Sequence, residues 1–119
     1  MEKKNEILEL SFEFALDIIA YSELLEEHKK YVIARQLLKS GTSIGANIRE
    51  AQNAESNSDF IHKLKIAAKE AEETEYWLLL CERSQNYPFD HTLITKLISI
   101  KKLLNSIITT MKIKQNNNL

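Results

Sequence analysis

The stretch Ser40–Ala51, SGTSIGANIREA, decides how this chain is read. Around and within it, apolar or small residues recur at Ile33, Leu37, Ser40, Ile44, Ile48 and Ala51, in steps of three or four. That is the stripe of a helix face packed on a partner. The same stretch holds Gly41 and Gly45, the only two glycines among 119 residues. Each interior glycine costs a helix about 1 kcal/mol relative to alanine, so a pair at i, i+4 needs a packing or backbone reason. With Ala34 they form one side of the helix where no bulky side chain stands and another backbone can come close. In a bilayer this spacing is a dimerisation signal, but Lys39, Arg49 and Glu50 argue against a membrane. The pair therefore predicts a close helix crossing inside a water-soluble bundle, with a kink as the alternative. A phosphate loop would need a preceding strand and a following Lys-Ser/Thr, and neither is present.

The rest of the chain fits that helix. Its length suits one domain with a single core. Two glycines and one proline leave little turn material, so nearly all of it reads as helix. Four helices are expected over about residues 4–25, 29–54, 59–84 and 91–113. The links are a charged one, Glu26–Lys30, a polar one, Gln52–Ser58 (QNAESNS), and Gln85–Asp90 (QNYPFD) with Pro88. Short links make sequence neighbours antiparallel. The expectation is an all-α, up-down antiparallel four-helix bundle over residues 1–114, with residues 115–119 (QNNNL) as a disordered tail.

Core stripes follow. The first helix offers Ile7, Leu8, Ser11, Phe14, Ala15, Ile18, Tyr21 and Leu25. The third offers Phe60, Leu64, Ala67, Ala71, Thr74, Leu78 and Cys81, and the fourth Leu93, Leu97, Ile100, Leu104, Ile107 and Met111. These last two have heptad spacing, the seam of near-parallel packing at roughly +20°. Ser58 and Asp90 are the expected N-caps of the third and fourth helices. Ile66, Trp77 and Leu80 lie off the third seam and widen its apolar face. They are the candidate self-association surface, with ordinary core packing the other reading of Trp77.

The pattern S-x-x-S-I-x-x-N-I-x-E, here Ser40, Ser43, Ile44, Asn47, Ile48 and Glu50, resembles the signature of the four-helix bundle proteins encoded in intervening sequences of bacterial 23S rRNA genes, often labelled S23 ribosomal proteins. The resemblance continues through Asp59-Phe60, Ile66-Ala67, Lys69-Glu70-Ala71, Glu73-Thr74 and Tyr76-Trp77-Leu78, and covers about residues 5–112. The family often carries proline before the A-N-I segment, where this chain has Gly45. The resemblance implies an up-down four-helix bundle, commonly a homopentamer, with no enzyme activity and an undefined molecular role.

Composition narrows the function classes. A single cysteine, Cys81, excludes an internal disulfide and fits a reducing cytoplasm. No long apolar segment follows MEKKNEILEL, and the longest apolar run, Tyr76–Cys81, is far short of the roughly 20 residues of a membrane span. The expected location is the cytoplasm, away from membranes. The net charge of −1 conceals blocks of −6 over residues 1–28, +5 over 29–69, −5 over 70–90 and +5 over 91–119. Opposite signs on successive segments would draw neighbouring helices together modestly. The sharper reading is a basic surface for RNA, carried by Arg35, Lys39, Arg49, Lys63, Lys65 and Lys69 with the lysines of the fourth helix.

Catalytic patterns are weak. A di-iron bundle needs two Glu-x-x-His pairs, whereas only Asp59 and His62 have that spacing with a histidine. Ser99-x-x-Lys102 lacks the companions of a Ser-Lys nucleophile. Neither metal nor cofactor is expected. Glu70 and Glu73 share a helix face, and they pair with Arg35 or Lys39 or hydrogen-bond across to Asn47. Asn47 itself reads as a register-fixing buried amide, or less readily as a binding group. His28, His62 and His91 fall near helix ends and should be exposed or capping. Cys81 should be a buried small hydrophobe. Two functional expectations stand: a non-enzymatic oligomeric scaffold or protein-interaction module, and an RNA-associated protein (rRNA or another nucleic acid) using basic faces of the second to fourth helices.

Overall fold

A computed structural model describes residues 5–117 as four helices: α1 (Glu6–Glu27), α2 (Tyr31–Ala51), α3 (Asn57–Arg83) and α4 (Thr92–Asn117). α1 packs on α2, α2 on α3, α3 on α4, and α4 back on α1, while among the described residues the backbones of the diagonal pairs stay apart. This is a four-helix bundle measuring 54 × 29 × 21 Å. Phe14, Ile18 and Leu25 of α1, Leu37, Ile44 and Ile48 of α2, Leu64 and Leu78 of α3, and Leu97, Ile100 and Leu104 of α4 are fully buried at its centre. The expected stripes rotate slightly at two helix ends. Ile61 is buried while Phe60 sits half-buried at the edge, and Ile108 is buried while Ile107 and Met111 are half-buried. A straight helix drifts about 20° per heptad against a strict seven-residue repeat, so a stripe drawn on heptads misses by one residue at its ends.

Side-chain caps set the starts of α1, α3 and α4, whereas α2 opens at Lys30 without one. Asn5 accepts the Leu8 N–H at 3.3 Å to open α1. α3 is capped by Ser56 rather than the expected Ser58: Ser56 has extended backbone and accepts the Asp59 N–H at 3.1 Å. The Asp59 carboxylate reaches back to the Glu55 N–H at 3.2 Å, which fixes the earlier start. Asp90 opens α4 as expected, accepting from Thr92 N at 2.9 Å and Thr92 Oγ1 at 2.8 Å. Those two bonds hold the Asp90 carboxyl below the usual carboxylate range. Gln115–Asn117, expected in the disordered tail, continue α4, because Gln115 Nε2 donates to Ser58 Oγ at 2.7 Å and ties the two helices together. Asn118 and Leu119 lie outside the described residues.

The turns manage without glycine. α1 closes with Lys30 N–H on the Leu25 carbonyl at 2.8 Å and Lys29 N–H on that of Glu26 at 2.9 Å. Lys29 takes φ 63°, the left-handed position that glycine usually fills. Asn86 does the same at φ 65° in the α3–α4 link. That link folds over the bundle end, where the Tyr21 hydroxyl donates to the Pro88 carbonyl at 2.7 Å and the Phe89 ring meets Tyr21 edge-on at 6.2 Å.

Burial, then the neighbouring Cys81, pushes the Tyr21 phenol well above its ordinary value. A raised folded pKa contributes stability that is fully present below the unfolded tyrosine pKa and is lost as pH rises beyond it. Stability should therefore decline above about pH 10, and Tyr21→Phe should flatten the decline. Urea midpoints measured from pH 8 to 11 check this; an equally steep decline in Tyr21→Phe would refute it. Among the described residues no helix is long and apolar enough to cross a membrane.

Candidate functional site

The motif on α2 works in two directions. A Cβ at Gly41 would lie 2.8 Å from Cγ2 of Ile18, and one at Gly45 3.3 Å from the Ser11 carbonyl oxygen. The glycine pair thus faces α1, and α2 runs unbroken through it. The close crossing expected from the spacing is present, with the α1 backbone at Ser11 as the approaching element. The opposite flank of α2 faces α3. Ser40 and Thr74 are both buried, their hydroxyl oxygens 2.9 Å apart, and Thr74 Oγ1 also lies 2.7 Å from the Glu70 carbonyl. One hydroxyl proton serves one acceptor at a time. The consistent relay is therefore Ser40 to Thr74 to the Glu70 carbonyl.

Ser43 and Asn47 bond within their own helix. Ser43 Oγ donates to the Lys39 carbonyl at 2.7 Å, and Asn47 Nδ2 to the Ser43 carbonyl at 2.8 Å. Asn47 is half-buried and does not bridge to Glu70 or Glu73, contrary to one of the expectations. A carbonyl four residues back is always within reach of a short amide, whereas a cross-helix partner depends on helix separation. Glu73 instead accepts from Trp77 Nε1 at 3.0 Å. Glu70 is half-buried, and burial followed by the Glu73 charge raises its pKa while Lys39 lowers it. No ion pair joins Arg35 or Lys39 to either glutamate among the described residues. Glu50 meets Lys63 across α2–α3 at 4.0 Å.

The six basic candidates are not gathered on one face. Arg49 lines a groove between α1 and α2, Lys39 sits near Glu70, Lys63 pairs with Glu50, and the Lys112 charge of α4 lowers the ammonium pKa of exposed Lys65. Arg35 and Lys69 are exposed. Elsewhere the alternating charge blocks do meet across seams, as Lys96–Asp17 at 2.5 Å and Lys101 with Glu72 at 2.8 Å and Glu75 at 3.0 Å. His28 Nδ1 lies 2.9 Å from the Leu24 carbonyl, His91 Nδ1 lies 3.1 Å from the Glu82 carboxylate, and His62 is exposed. Cys81 is buried, and burial raises its thiol pKa.

Of the candidate interface residues, Ile66 and Trp77 are half-buried, and Trp77 packs on the core edge. Leu80 is 39% exposed and shares the outer face of α3 with Tyr76, at 57%. The sequence reading missed a second outer face, on α1, where Phe12, Leu16 and Ile19 are 54%, 53% and 40% exposed. Their 4-3 spacing was the available signal. Phe12 also lines the groove of about 160 Å³ with Leu8, Ala15, Thr42, Gly45, Ala46 and Arg49.

A family model described as 23S rRNA-intervening sequence protein matches residues 3–106. Four solved chains are similar to this one. Among them is a protein with unknown function from the S23 ribosomal protein family of Bacteroides thetaiotaomicron VPI-5482, whose crystal structure is at 1.70 Å resolution. It is 48% identical, with a TM-score of 0.80 over 86% of this chain and 97% of that one. No curated protein matches this chain.

Proposed function

This chain belongs to the 23S rRNA-intervening sequence protein family, and from that premise we propose that it is a non-enzymatic, cytoplasmic bundle that self-associates and serves as a scaffold or protein-interaction module. The observation that carries this reading is the pair of exposed apolar faces, Phe12, Leu16 and Ile19 on α1 and Tyr76 and Leu80 on α3. Large apolar side chains left in water forgo roughly 1.5–3 kcal/mol each that burial would supply, and clusters of them mark contact surfaces. α1 and α3 are diagonal in the bundle, so the two faces point away from each other. Joining one face to the other face of the next copy makes a head-to-tail contact, which closes into a ring when the rotation allows. A ring of five is the number that the family resemblance implies. The non-enzymatic part rests on the motif itself, whose polar side chains are occupied by hydrogen bonds within α2, at Ser43 and Asn47, or across to α3, at Ser40.

The test is mass in solution at micromolar concentration, by sedimentation equilibrium. The wild type should run as a multiple of the chain mass. Phe12→Glu with Leu16→Glu should shift it to the single-chain mass while leaving its helical circular dichroism unchanged. A single-chain wild type would reject self-association.

A further inference from the structure

The two exposed apolar faces are not back to back. The face on α1 runs over onto α2: the groove beside Phe12 and Ala15 has Thr42 and Ala46 of α2 as its other wall, and Leu38 of α2 is also exposed. The face on α3 leans the same way. Glu72 and Glu75 mark the flank of α3 that meets α4, through Lys101, whereas Lys63 and Thr74 mark the flank that meets α2, through Glu50 and Ser40. Glu73 and Trp77 come ten and fourteen residues after Lys63, close to three and four turns, so they stay on its side of the helix. Tyr76 lies edge-on to Trp77 at 5.3 Å, and Trp77 donates to Glu73 at 3.0 Å, which ties this edge of α3 together. Two contact faces that lean to one side make a head-to-tail assembly that curves toward that side. Here the inner side is α2 and the outer side is α4.

Helix register puts the two faces at one height. Gly41 lies on Ile18 and Gly45 on Ser11 across α1–α2, while Ser40 meets Thr74 and Glu50 meets Lys63 across α2–α3. By these antiparallel pairs Tyr76 stands level with Leu38 and Ile19. Glu73 stands within a turn of Lys39 and within two turns of Arg35. A ring about an axis along the bundle joins residues of equal height, so apolar meets apolar and acid meets base. The charges are available for this. Arg35, Lys39 and Glu73 are exposed, and among the described residues neither cation has a carboxylate partner. Glu73 takes the Trp77 bond on Oε2 and keeps Oε1 open. Opposite charges flanking an apolar contact fix its register and orientation.

We propose that a second copy of the chain seats the Glu73–Leu80 edge of its α3 on the α1–α2 face. Its Tyr76 packs on Leu38 and Ile19, its Glu73 meets Lys39 and Arg35, and α2 lines the inside of the assembly. This rests on the self-association reading and fixes which surfaces meet and which way the assembly curves.

The test uses the full chain in two arms. In the first, a nitroxide is placed at Val32→Cys on α2 or at Ser106→Cys on α4, both exposed, while buried Cys81 stays unlabelled. Double electron–electron resonance reads the distance between neighbouring copies. It should be shorter at position 32 than at position 106, by roughly the 21 Å width of one bundle. Equal distances, or the shorter one at position 106, would overturn the placing of α2 inside. The second arm swaps charge and reads mass by sedimentation equilibrium at low salt, where exposed ion pairs are least screened. Glu73→Arg should weaken association about tenfold, as attraction across the joint becomes repulsion. Arg35→Glu with Lys39→Glu should do the same, and the triple variant should restore association. Lys102→Glu, on exposed α4 surface, should leave it unchanged. A triple variant as weak as its parents, or equal weakening by Lys102→Glu, would overturn the contact while self-association stood. A wild type of single-chain mass would remove both.

Discussion

Gly45→Leu should destabilise the bundle by about 3 kcal/mol. The loss arises where two backbones meet. Even a Cβ at position 45 would lie 3.3 Å from the Ser11 carbonyl oxygen and 3.5 Å from Ser11 Oγ. Three further carbons would have to crowd the narrow groove beside Ser11 and Phe12 and push α1 outward. α1 cannot roll aside to admit them, because Phe14 and Ile18 on the same helix are fully buried. The better helix propensity of leucine offsets only about 1 kcal/mol of the overpacking. For a chain of this size the melting temperature should fall by roughly 10 °C, read by circular dichroism. Gly45→Ala separates sterics from propensity. Its single methyl meets a tight but adjustable contact, while the helix gains about 1 kcal/mol, so it should melt close to the wild type. A leucine variant that melted like the wild type would remove the close crossing as the reason for the glycine.

Thr74→Val should cost about 2 kcal/mol, since it leaves the buried Ser40 hydroxyl without its cross-helix partner. Ser40→Ala should cost less, because Thr74 keeps its 2.7 Å contact with the Glu70 carbonyl. The double variant removes both polar groups from a site that is otherwise apolar and should cost less than the sum of the singles. That non-additivity, about 1 kcal/mol in a double-mutant cycle from urea denaturation, measures the bond between α2 and α3. Strict additivity would mean that the bond contributes nothing.

The helix count and most core positions were legible because burial follows the 3.6-residue period, which a sequence displays directly. The glycine pair likewise announced a close approach. It could not say that the approaching segment is Ser11 and Ile18, because that depends on which neighbour takes which face of α2. Ser56 and Ser58 are the same residue type two positions apart, and the choice between them as cap was made by the reach of Asp59 back to Glu55. Asn47 illustrates competition between a local carbonyl and a distant carboxylate, which spacing alone does not resolve. Phe12, Leu16 and Ile19 had visible helical spacing, but a stripe becomes a surface only once the other side of its helix is known to hold the core.

The ring of seams also bears on how the chain folds. Three seams join helices consecutive in sequence, while α1 on α4 joins the two ends. Closing a loop costs entropy that grows with the logarithm of its length. The three helical hairpins therefore form across short links at small cost, and the topology belongs among the rapid folders dominated by local contacts. The α1–α4 seam carries the longest closure and is the last to zip. It is correspondingly the first to part when the native protein opens, so its amides should exchange hydrogen soonest among the four seams.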